Sequence, residues 1–238
     1  LKAMDTLNFE IEKGEIFGLI GPNGAGKSTT FNMISGALKP TSGEVWLNGK
    51  RIDGNYMYQT NKLGIARTYQ NINLFRSMTV LENLLVGQHC RLKSGLVSAV
   101  LRTPKEKKEE EMAVQKARDI LEFCGLGHKE NVYSNSLAYG EQRILEIARA
   151  LVSDPVLVIL DEPAAGMNPT EKNSLADLVQ RIRNRGITVL LVEHDMKFVM
   201  GITDRICVLN YGKRLALGTP EEVQSNPEVI EAYLGGGD

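Results

Sequence analysis

A glycine-rich run early in the chain has the residue types and the spacing of a phosphate-binding loop. It follows the pattern GxxxxGK[ST], and the residues assigned to nucleotide binding are Gly21, Pro22, Asn23, Gly24, Ala25, Gly26, Lys27, Ser28 and Thr29. Glycines let backbone N–H groups crowd around phosphate oxygens, and a helix that follows presents its positive N-terminus to the same anion. Lys27 can then reach the terminal phosphates, and the Ser28 hydroxyl can bind Mg²⁺.

Two adjacent acids, Asp161 and Glu162, end an apolar run in the second half of the chain. Two carboxylates at the end of a buried strand repel each other and are costly to bury unless a cation or a reacting proton is near. We therefore predict that Asp161 holds Mg²⁺ and that Glu162 polarises a water molecule for attack on a phosphate. An apolar run that ends in two acids is weak evidence for catalysis by itself, and its position downstream of a phosphate-binding loop makes it strong evidence.

The elements that would position these groups are those of an α/β domain. Alternating or continuous apolar residues predict strands, which cover residues 7–11, 15–20, 43–47, 50–52, 64–68, 156–161 and 187–192. The Asn48-Gly49 pair is typical of a hairpin turn. Residues 27–37 predict a helix directly after the glycine-rich loop. Asn168 and Pro169 predict the start of another helix, which ends near Gly186.

The middle of the chain is predicted to be helical. Thr79 and Glu82 have the spacing of a capping box at a helix start. Residues 105–123 have a charged face and an apolar face, the latter formed by Met112, Ala113, Ala117, Ile120 and Leu121. We expect one domain over residues 1–238, with an α/β nucleotide-binding core of residues 1–71 and 153–238 and a helical subdomain of residues 72–152.

Composition and charge disfavour several other classes of protein. The formal net charge of -1 and the 42% hydrophobic content suit one sizeable core and disfavour a dedicated nucleic-acid binder. The three cysteines are far apart and form no CxxC pair, which predicts reduced thiols. No apolar run approaches the ~20 residues that span a bilayer, so a role at a membrane requires a partner. Leu1 is not an initiator methionine, and we expect native residues before it.

The order of five elements resembles that of the ABC ATPase family over essentially the whole chain. The elements are the phosphate-binding loop, Gln70 after a strand, Leu-Ala-Tyr-Gly-Glu-Gln at residues 137–142, the Asp161-Glu162 pair, and His194. The resemblance implies that Gln70 binds Mg²⁺ and senses a membrane partner, and that His194 contacts the γ-phosphate. Lys27, Glu162 and His194 are then the catalytic residues. The implied fold is an α/β P-loop NTPase core with a mixed sheet, an antiparallel β subdomain and an inserted helical subdomain.

The segment at residues 137–142 departs from the Leu-Ser-Gly-Gly-Gln usual in that family. Ala138 replaces the serine, Tyr139 the first glycine and Glu141 the glutamine, whereas Gly140 is kept. The family's serine hydroxyl meets the γ-phosphate held by the opposite subunit, and backbone N–H groups at a helix start could supply part of that contact here.

Two further positions of the nucleotide site differ from the usual pattern. Asn168, also assigned to nucleotide binding, replaces the aspartate usual after the catalytic strand. The family's adenine-stacking aromatic residue lies upstream of the loop, and residues 1–8 contain no aromatic residue.

The wording of residues 137–142 resembles that of one subfamily, the ATP-binding subunits of high-affinity branched-chain amino acid importers. The same holds for Ala-Gly-Met-Asn-Pro at residues 165–169, for Gly-Thr-Pro-Glu-Glu at residues 218–222 and for the long helical insertion after Gln70. The resemblance implies ATP and Mg²⁺ as cofactors. It implies transmembrane permease subunits and a second ATP-binding subunit as partners, an indirect link to a solute-binding protein, and no nucleic acid. The expected location is cytoplasmic, on the inner face of the cell membrane.

Three other functions stay open at this stage. A related ABC system could import urea or amides, or export a lipid. A cytosolic ABC ATPase of DNA repair or translation is disfavoured, because repair ATPases are divided by long coiled coils and translation factors carry two domains in tandem. A module that binds nucleotide without hydrolysis is disfavoured by the presence of Lys27, Glu162 and His194.

Overall fold

The computed structural model describes residues 4–88 and 104–234. The chain divides into two compact units. The larger one comprises residues Leu1–Gln70 and Val156–Asp238, and the smaller one comprises residues Asn71–Pro155.

A six-stranded mixed sheet forms the centre of the larger unit. Its strands are β1 Ile16–Ile20, β4 Ile65–Arg67, β5 Leu157–Asp161, β6 Thr188–Val192, β7 Arg205–Asn210 and β8 Lys213–Gly218. Their order across the sheet is β4-β5-β6-β1-β7-β8, and only β8 runs antiparallel to its neighbour. A separate hairpin joins β2 Trp46–Leu47 to β3 Lys50–Arg51. Asn48 and Gly49 both have positive φ there, which confirms the predicted turn.

The central strands are apolar on both faces because helices and loops cover the sheet on both sides. Every residue of β1, β5 and β6 is buried, and Phe17, Leu19 and Ile159 are wholly inaccessible. Because β1, β4, β5 and β6 are parallel, their carboxyl ends meet at one edge of the sheet. The catalytic and metal-binding candidates lie near these carboxyl ends. Gln70, Glu162 and His194 follow β4, β5 and β6, Asp161 is the last residue of β5, and Lys27 and Ser28 begin the helix after β1.

Six helices are described in the larger unit. They are α1 Lys27–Ser35, α2 Met57–Lys62, α6 Pro169–Asn184, α7 Met196–Ile202, α8 Pro220–Ser225 and α9 Pro227–Leu234. Helix α1 ends two residues before its predicted end, because Gly36 adopts a left-handed conformation with φ 77° and closes the last turn. Helix α6 begins and ends as the sequence predicts, with Asn168 before it and Gly186 after it at φ 79°.

The prediction of a strand at residues 7–11 is wrong. This segment belongs to none of the described strands, although Leu7, Phe9 and Ile11 alternate in burial and pack on the core. The carbonyl oxygens of Asn8 and Glu10 accept hydrogen bonds from arginine side chains. The alternating burial therefore comes from an extended segment that lies along the core and is held there by hydrogen bonds from two arginine side chains.

The smaller unit is helical as predicted. The helices described in it are α3 Val80–Gln88, α4 Pro104–Phe123 and α5 Tyr139–Leu151, with short 3-10 turns at Gly127–Lys129 and Ser134–Ser136. Thr79 and Glu82 form the predicted capping box through reciprocal bonds of 2.8 and 3.2 Å. Asn83 is wholly buried, and its amide bonds the carbonyl oxygens of Thr79 and Phe75, which fixes the turn before α3.

One assignment to the apolar face of α4 is wrong. Ala113, Ala117, Ile120 and Leu121 are buried, whereas Met112 is 64% exposed. Successive helical residues point about 100° apart, so Met112 lies beside the buried stripe that begins at Ala113. Within residues 4–88 and 104–234, no helix has both the length and the apolar character needed to cross a bilayer.

Two of the three cysteines lie within the described residues, and both are buried. Burial raises the pKa of the Cys207 thiol to about 12. The thiol therefore stays protonated and unreactive at neutral pH. Cys90 lies outside the described residues.

Candidate functional site

The loop between β1 and α1 has the backbone conformation that a phosphate-binding loop requires. Gly21, Gly24 and Gly26 have φ of 152°, 77° and 103°. Gly21 passes so close to β7 that an added Cβ would lie 2.3 Å from the carbonyl oxygen of Leu209. Helix α1 has no acidic residue in its first turn and no side-chain cap at Gly26, so its leading N–H groups suit an anionic ligand.

Lys27, the first residue of α1, folds its side chain back onto this loop. Its ammonium donates hydrogen bonds to the carbonyl oxygens of Gly21 and Pro22, at N···O distances of 2.5 and 3.0 Å. Burial lowers the pKa of Lys27 below its ordinary value, and the negative charge of Glu162 opposes that shift. A phosphate can replace the two carbonyl groups as the partner of this ammonium, because it offers more negative charge.

Glu162, Gln70 and His194 come together at the carboxyl ends of β5, β4 and β6. The Gln70 amide nitrogen donates to one carboxylate oxygen of Glu162 over 2.9 Å. Nδ1 of His194 lies 3.5 Å from the other oxygen. The carboxylate is therefore held from two sides, in the arrangement expected of a general base with an orienting partner.

The backbone of Glu162 is unusual for a residue that is not glycine. It has φ 47°, and its N–H donates to the carbonyl oxygen of Val192 over 2.8 Å. A left-handed conformation costs about 1–3 kcal/mol and persists where neighbouring contacts enforce it, often at functional positions. Here the bond to the end of β6 supplies the constraint, which keeps Glu162 next to the segment that carries His194.

Asp161 is the last residue of β5 and is buried beside an arginine. One of its carboxylate oxygens lies 3.4 Å from a guanidinium nitrogen of Arg67, at the end of β4. Arg67 also donates to the Asn32 side chain over 2.7 Å and lies over the rings of Phe31 and Tyr69. The carboxylate predicted to bind Mg²⁺ therefore has a cationic neighbour that orients it.

Sequence reasoning did not single out Arg67, nor Glu193 after β6. Both are charged residues at the end of an otherwise apolar buried run, which is the signal that selected Asp161. Arg67 follows Ile65 and Ala66, and Glu193 follows Val192. A charge at such a position requires a partner at the same sheet edge, because burial of an unpaired charge is costly.

The oxygen donors of the site suit Mg²⁺. Ser28, Gln70 and Asp161 offer a hydroxyl, a carboxamide and a carboxylate, which are hard oxygen ligands. No cluster of three or more His, Cys, Asp or Glu side chains that could bind a metal occurs in the part of the chain that the structure describes. This donor set fits an ion that also binds phosphate oxygens and retains water, as Mg²⁺ does.

Asn168 acts as the cap of helix α6. Its side-chain oxygen accepts from the N–H of Glu171 over 3.0 Å, and the Glu171 carboxylate accepts from the N–H of Asn168 over 2.9 Å. The residue that replaces the family's usual aspartate therefore keeps the hydrogen bond that an aspartate would make. Its assignment to nucleotide binding stays a prediction.

Replacement of Asn168 tests that capping role. Asn168→Ala should lower the free energy of unfolding by about 1 kcal/mol, because the N–H of Glu171 loses its acceptor. Asn168→Asp should stay within about 0.5 kcal/mol of the parent, because aspartate caps as well as asparagine. Urea denaturation of both variants measures the difference, and an equal loss in the two would rule out the cap as the cause.

The segment at residues 137–142 lies at the start of α5 in the smaller unit. Ala138 and Tyr139 are exposed, and Gly140 is buried. The Glu141 carboxylate accepts from the N–H of Ala138 over 3.1 Å and from the Lys129 ammonium over 2.5 Å. The hydrogen bond from Lys129 holds the pKa of Glu141 below its ordinary value. Ala138 carries no hydroxyl, so the glutamate supplies the polar contact at this helix start.

Comparisons with known proteins agree with this fold. A family model described as ABC transporter matches residues 4–165, and a second one, described as branched-chain amino acid ATP-binding cassette transporter, matches residues 213–238. The high-affinity branched-chain amino acid transport ATP-binding protein LivG of Salmonella typhimurium is 50% identical over 236 residues. That alignment covers 99% of this chain and 92% of LivG.

Two solved structures extend the comparison. The ADP conformation of MJ1267, an ATP-binding cassette of an ABC transporter, matches with a TM-score of 0.86 and 36% identity, over 98% of this chain and 92% of that one. The dimeric post-hydrolysis structure of the cassette MJ0796, bound to ADP and Pi, matches with a TM-score of 0.75 and 26% identity, over 92% and 90% of the two chains. The chain belongs to the ABC transporter family of ATP-binding proteins, which confirms the resemblance and the fold class inferred from sequence.

Proposed function

We propose that this chain hydrolyses ATP and that hydrolysis powers the import of branched-chain amino acids through a membrane permease. The observation that carries the proposal is the Glu162 carboxylate, bound to Gln70 over 2.9 Å and adjacent to His194 at 3.5 Å. These groups follow parallel strands of the sheet whose strand β1 leads into the phosphate-binding loop. A constrained carboxylate at this edge has the position of a base that activates water.

Each group then has a defined role. The N–H groups of the loop and the Lys27 ammonium bind the phosphates and stabilise charge that develops during transfer. Glu162 accepts a proton from the attacking water. His194 contacts the γ-phosphate and, through its proximity to Glu162, keeps water and phosphate aligned.

Ser28, Gln70 and Asp161 would hold Mg²⁺ with the nucleotide. When bound, the ion supplies positive charge beside the phosphate oxygens. Arg67 orients Asp161 through the 3.4 Å contact and so prepares this carboxylate as a ligand.

A second ATP-binding subunit, either a copy of this chain or a related one, would complete the site. Residues 138–141 lie at an exposed helix start, where N–H groups can contact a nucleotide held by the partner. The cassette MJ0796 is dimeric in its post-hydrolysis structure, which supports the pairing of this chain with a second ATP-binding subunit. Asn168, which follows the catalytic strand, would contact the partner or its nucleotide.

The cargo is inferred from relatives. LivG, 50% identical to this chain, is described as a branched-chain amino acid transport protein, and the C-terminal family model has the same description. An ATP-binding subunit of this kind would dock on transmembrane permease subunits at the inner face of the cell membrane. A solute-binding protein outside the membrane would deliver the amino acid.

The first test is the rate of Mg²⁺-dependent ATP hydrolysis as a function of protein concentration. A dimeric ATPase gives a rate that rises more than linearly with concentration, and Lys27→Ala should abolish it because the phosphates lose their cation. Lys13→Ala, at an exposed lysine in a turn, is the matched control and should keep the wild-type rate. Wild-type activity in Lys27→Ala would disprove the proposed site.

The second test concerns the cargo. The chain is reconstituted in vesicles with its permease subunits and solute-binding protein, and uptake of radiolabelled leucine, isoleucine or valine is compared with uptake of urea. ATP-dependent uptake of the amino acids alone supports the proposal. Uptake of urea alone, or ATP-dependent release of lipid, would assign the chain to another transport system.

A further inference from the structure

A buried glutamate connects the two segments that carry the proposed base and the proposed histidine. Glu193 directly precedes His194, and only 1% of its surface is exposed. Its carboxylate accepts a hydrogen bond from the N–H of Ala164 over 2.8 Å and from the N–H of His194 over 3.1 Å. The N–H of Asp195 lies at 3.5 Å. One side chain thus joins the loop after β5 to the loop after β6.

The chemistry of this position favours a role beyond packing. All five residues of β6 are buried, and an apolar residue could continue this run at lower cost than a carboxylate. The carboxylate is satisfied by backbone N–H groups, which form strong charge-assisted bonds and leave little freedom to the segments that donate them. Lys172 of α6 adds a further tie, because its ammonium lies 2.5 Å from the Asp195 carboxylate.

The two connected segments are those whose alignment matters for hydrolysis. Ala164 lies two residues after Glu162, and the N–H of Ala165 donates to the carbonyl oxygen of Glu162 over 3.2 Å. His194 is the residue whose ring lies 3.5 Å from the Glu162 carboxylate. A rigid link between these segments fixes the distance between the two side chains.

We infer that Glu193 is a positioning residue, which clamps the loop after Glu162 to the loop that carries His194 and so keeps the two catalytic side chains aligned. The inference rests on the proposed ATP hydrolysis. Glu193 does not contact the nucleotide in this role, and its loss changes alignment while the phosphate-binding loop stays intact.

The test separates rate from affinity in Glu193→Gln. The carboxamide keeps the size of the side chain but loses the charge and offers one acceptor oxygen in place of two. We expect the single-turnover rate constant at saturating Mg·ATP to fall about tenfold to a hundredfold, because misplacement of catalytic groups has effects of this size. The dissociation constant for ATP should change by about twofold or less, because the loop and Lys27 are untouched.

Glu15→Gln is the matched control. Glu15 is also buried, precedes β1 at the opposite end of the sheet, and bonds Arg205 over 2.8 Å. This variant should lose stability with an unchanged rate constant. Amide hydrogen exchange at Ala164 and His194 should accelerate in Glu193→Gln and not in the control. If Glu193→Gln does not fold, Glu193→Asp, which keeps the charge with a shorter reach, is measured by the same criteria.

Three outcomes would overturn the inference when the wild-type protein is active. The rate constant could be unchanged, ATP affinity and rate could fall together, or the control could lose as much rate as the Glu193 variant. An inactive wild-type protein would instead contradict the proposed function, so the two failures are distinguishable.

Discussion

Glu162→Gln is expected to lower the rate constant of ATP hydrolysis by about 10²- to 10⁴-fold, the usual contribution of a general base. The carboxamide has the shape of the carboxylate, and its oxygen can still accept from Gln70. It cannot accept a proton from water at neutral pH. Binding of ATP should persist, because Lys27 and the N–H groups of the loop are unchanged.

The variant should therefore accumulate with bound ATP as a dimer. Light scattering after gel filtration measures the dimer in the presence of Mg·ATP, and release of radiolabelled phosphate measures the residual rate. Glu221→Gln makes the same chemical change at an exposed position of α8 and should behave as the wild type. Turnover at the wild-type rate in Glu162→Gln would remove Glu162 as the base.

Most of the elements that present the site could be predicted because their signals are local. The glycine-rich loop, the capping box at Thr79, the helix start at Asn168 and Pro169, and the apolar run that ends at Asp161 each depend on residues a few positions apart. Parallel strands bring their carboxyl ends to one edge. Gln70 and His194 were assigned through the family resemblance, and the structure brings both side chains together with Glu162.

The parts that could not be predicted depend on partners far away in sequence. The alternation at residues 7–11 is the same for a paired strand and for an extended segment on the core. The difference lies in Arg205 and Arg214, which bond the carbonyl oxygens of this segment from about 200 positions later. The partners of Arg67 and Glu193 could not be predicted for the same reason, since Asp161 and Ala164 become their neighbours only when the sheet forms.

Gly21→Ala is expected to have the largest effect on folding among the predicted substitutions, and Gly24→Ala in the same loop provides the comparison. Both glycines have positive φ, 152° and 77°. A methyl group at Gly21 would lie 2.3 Å from the Leu209 carbonyl oxygen and 3.0 Å from Cβ of Ala25, whereas one at Gly24 meets nothing within 4 Å. The loop cannot move away from Leu209 without disturbing a second contact, because the N–H of Gly212, in the turn after β7, bonds the carbonyl oxygen of Ala25 over 2.9 Å.

Both substitutions therefore strain the backbone, but only Gly21→Ala adds a steric clash. Gly21→Ala should lower the free energy of unfolding by about 3 kcal/mol or more, as the sum of overpacking and strain. Gly24→Ala should lower it by about 1 kcal/mol, from strain alone. Urea denaturation measures both values. If Gly21→Ala is recovered only as insoluble protein while Gly24→Ala is soluble, that result also shows the larger loss of stability at position 21. Equal losses would show that close approach to Leu209 does not limit the residue at position 21, and the glycine there would then be required by backbone conformation alone.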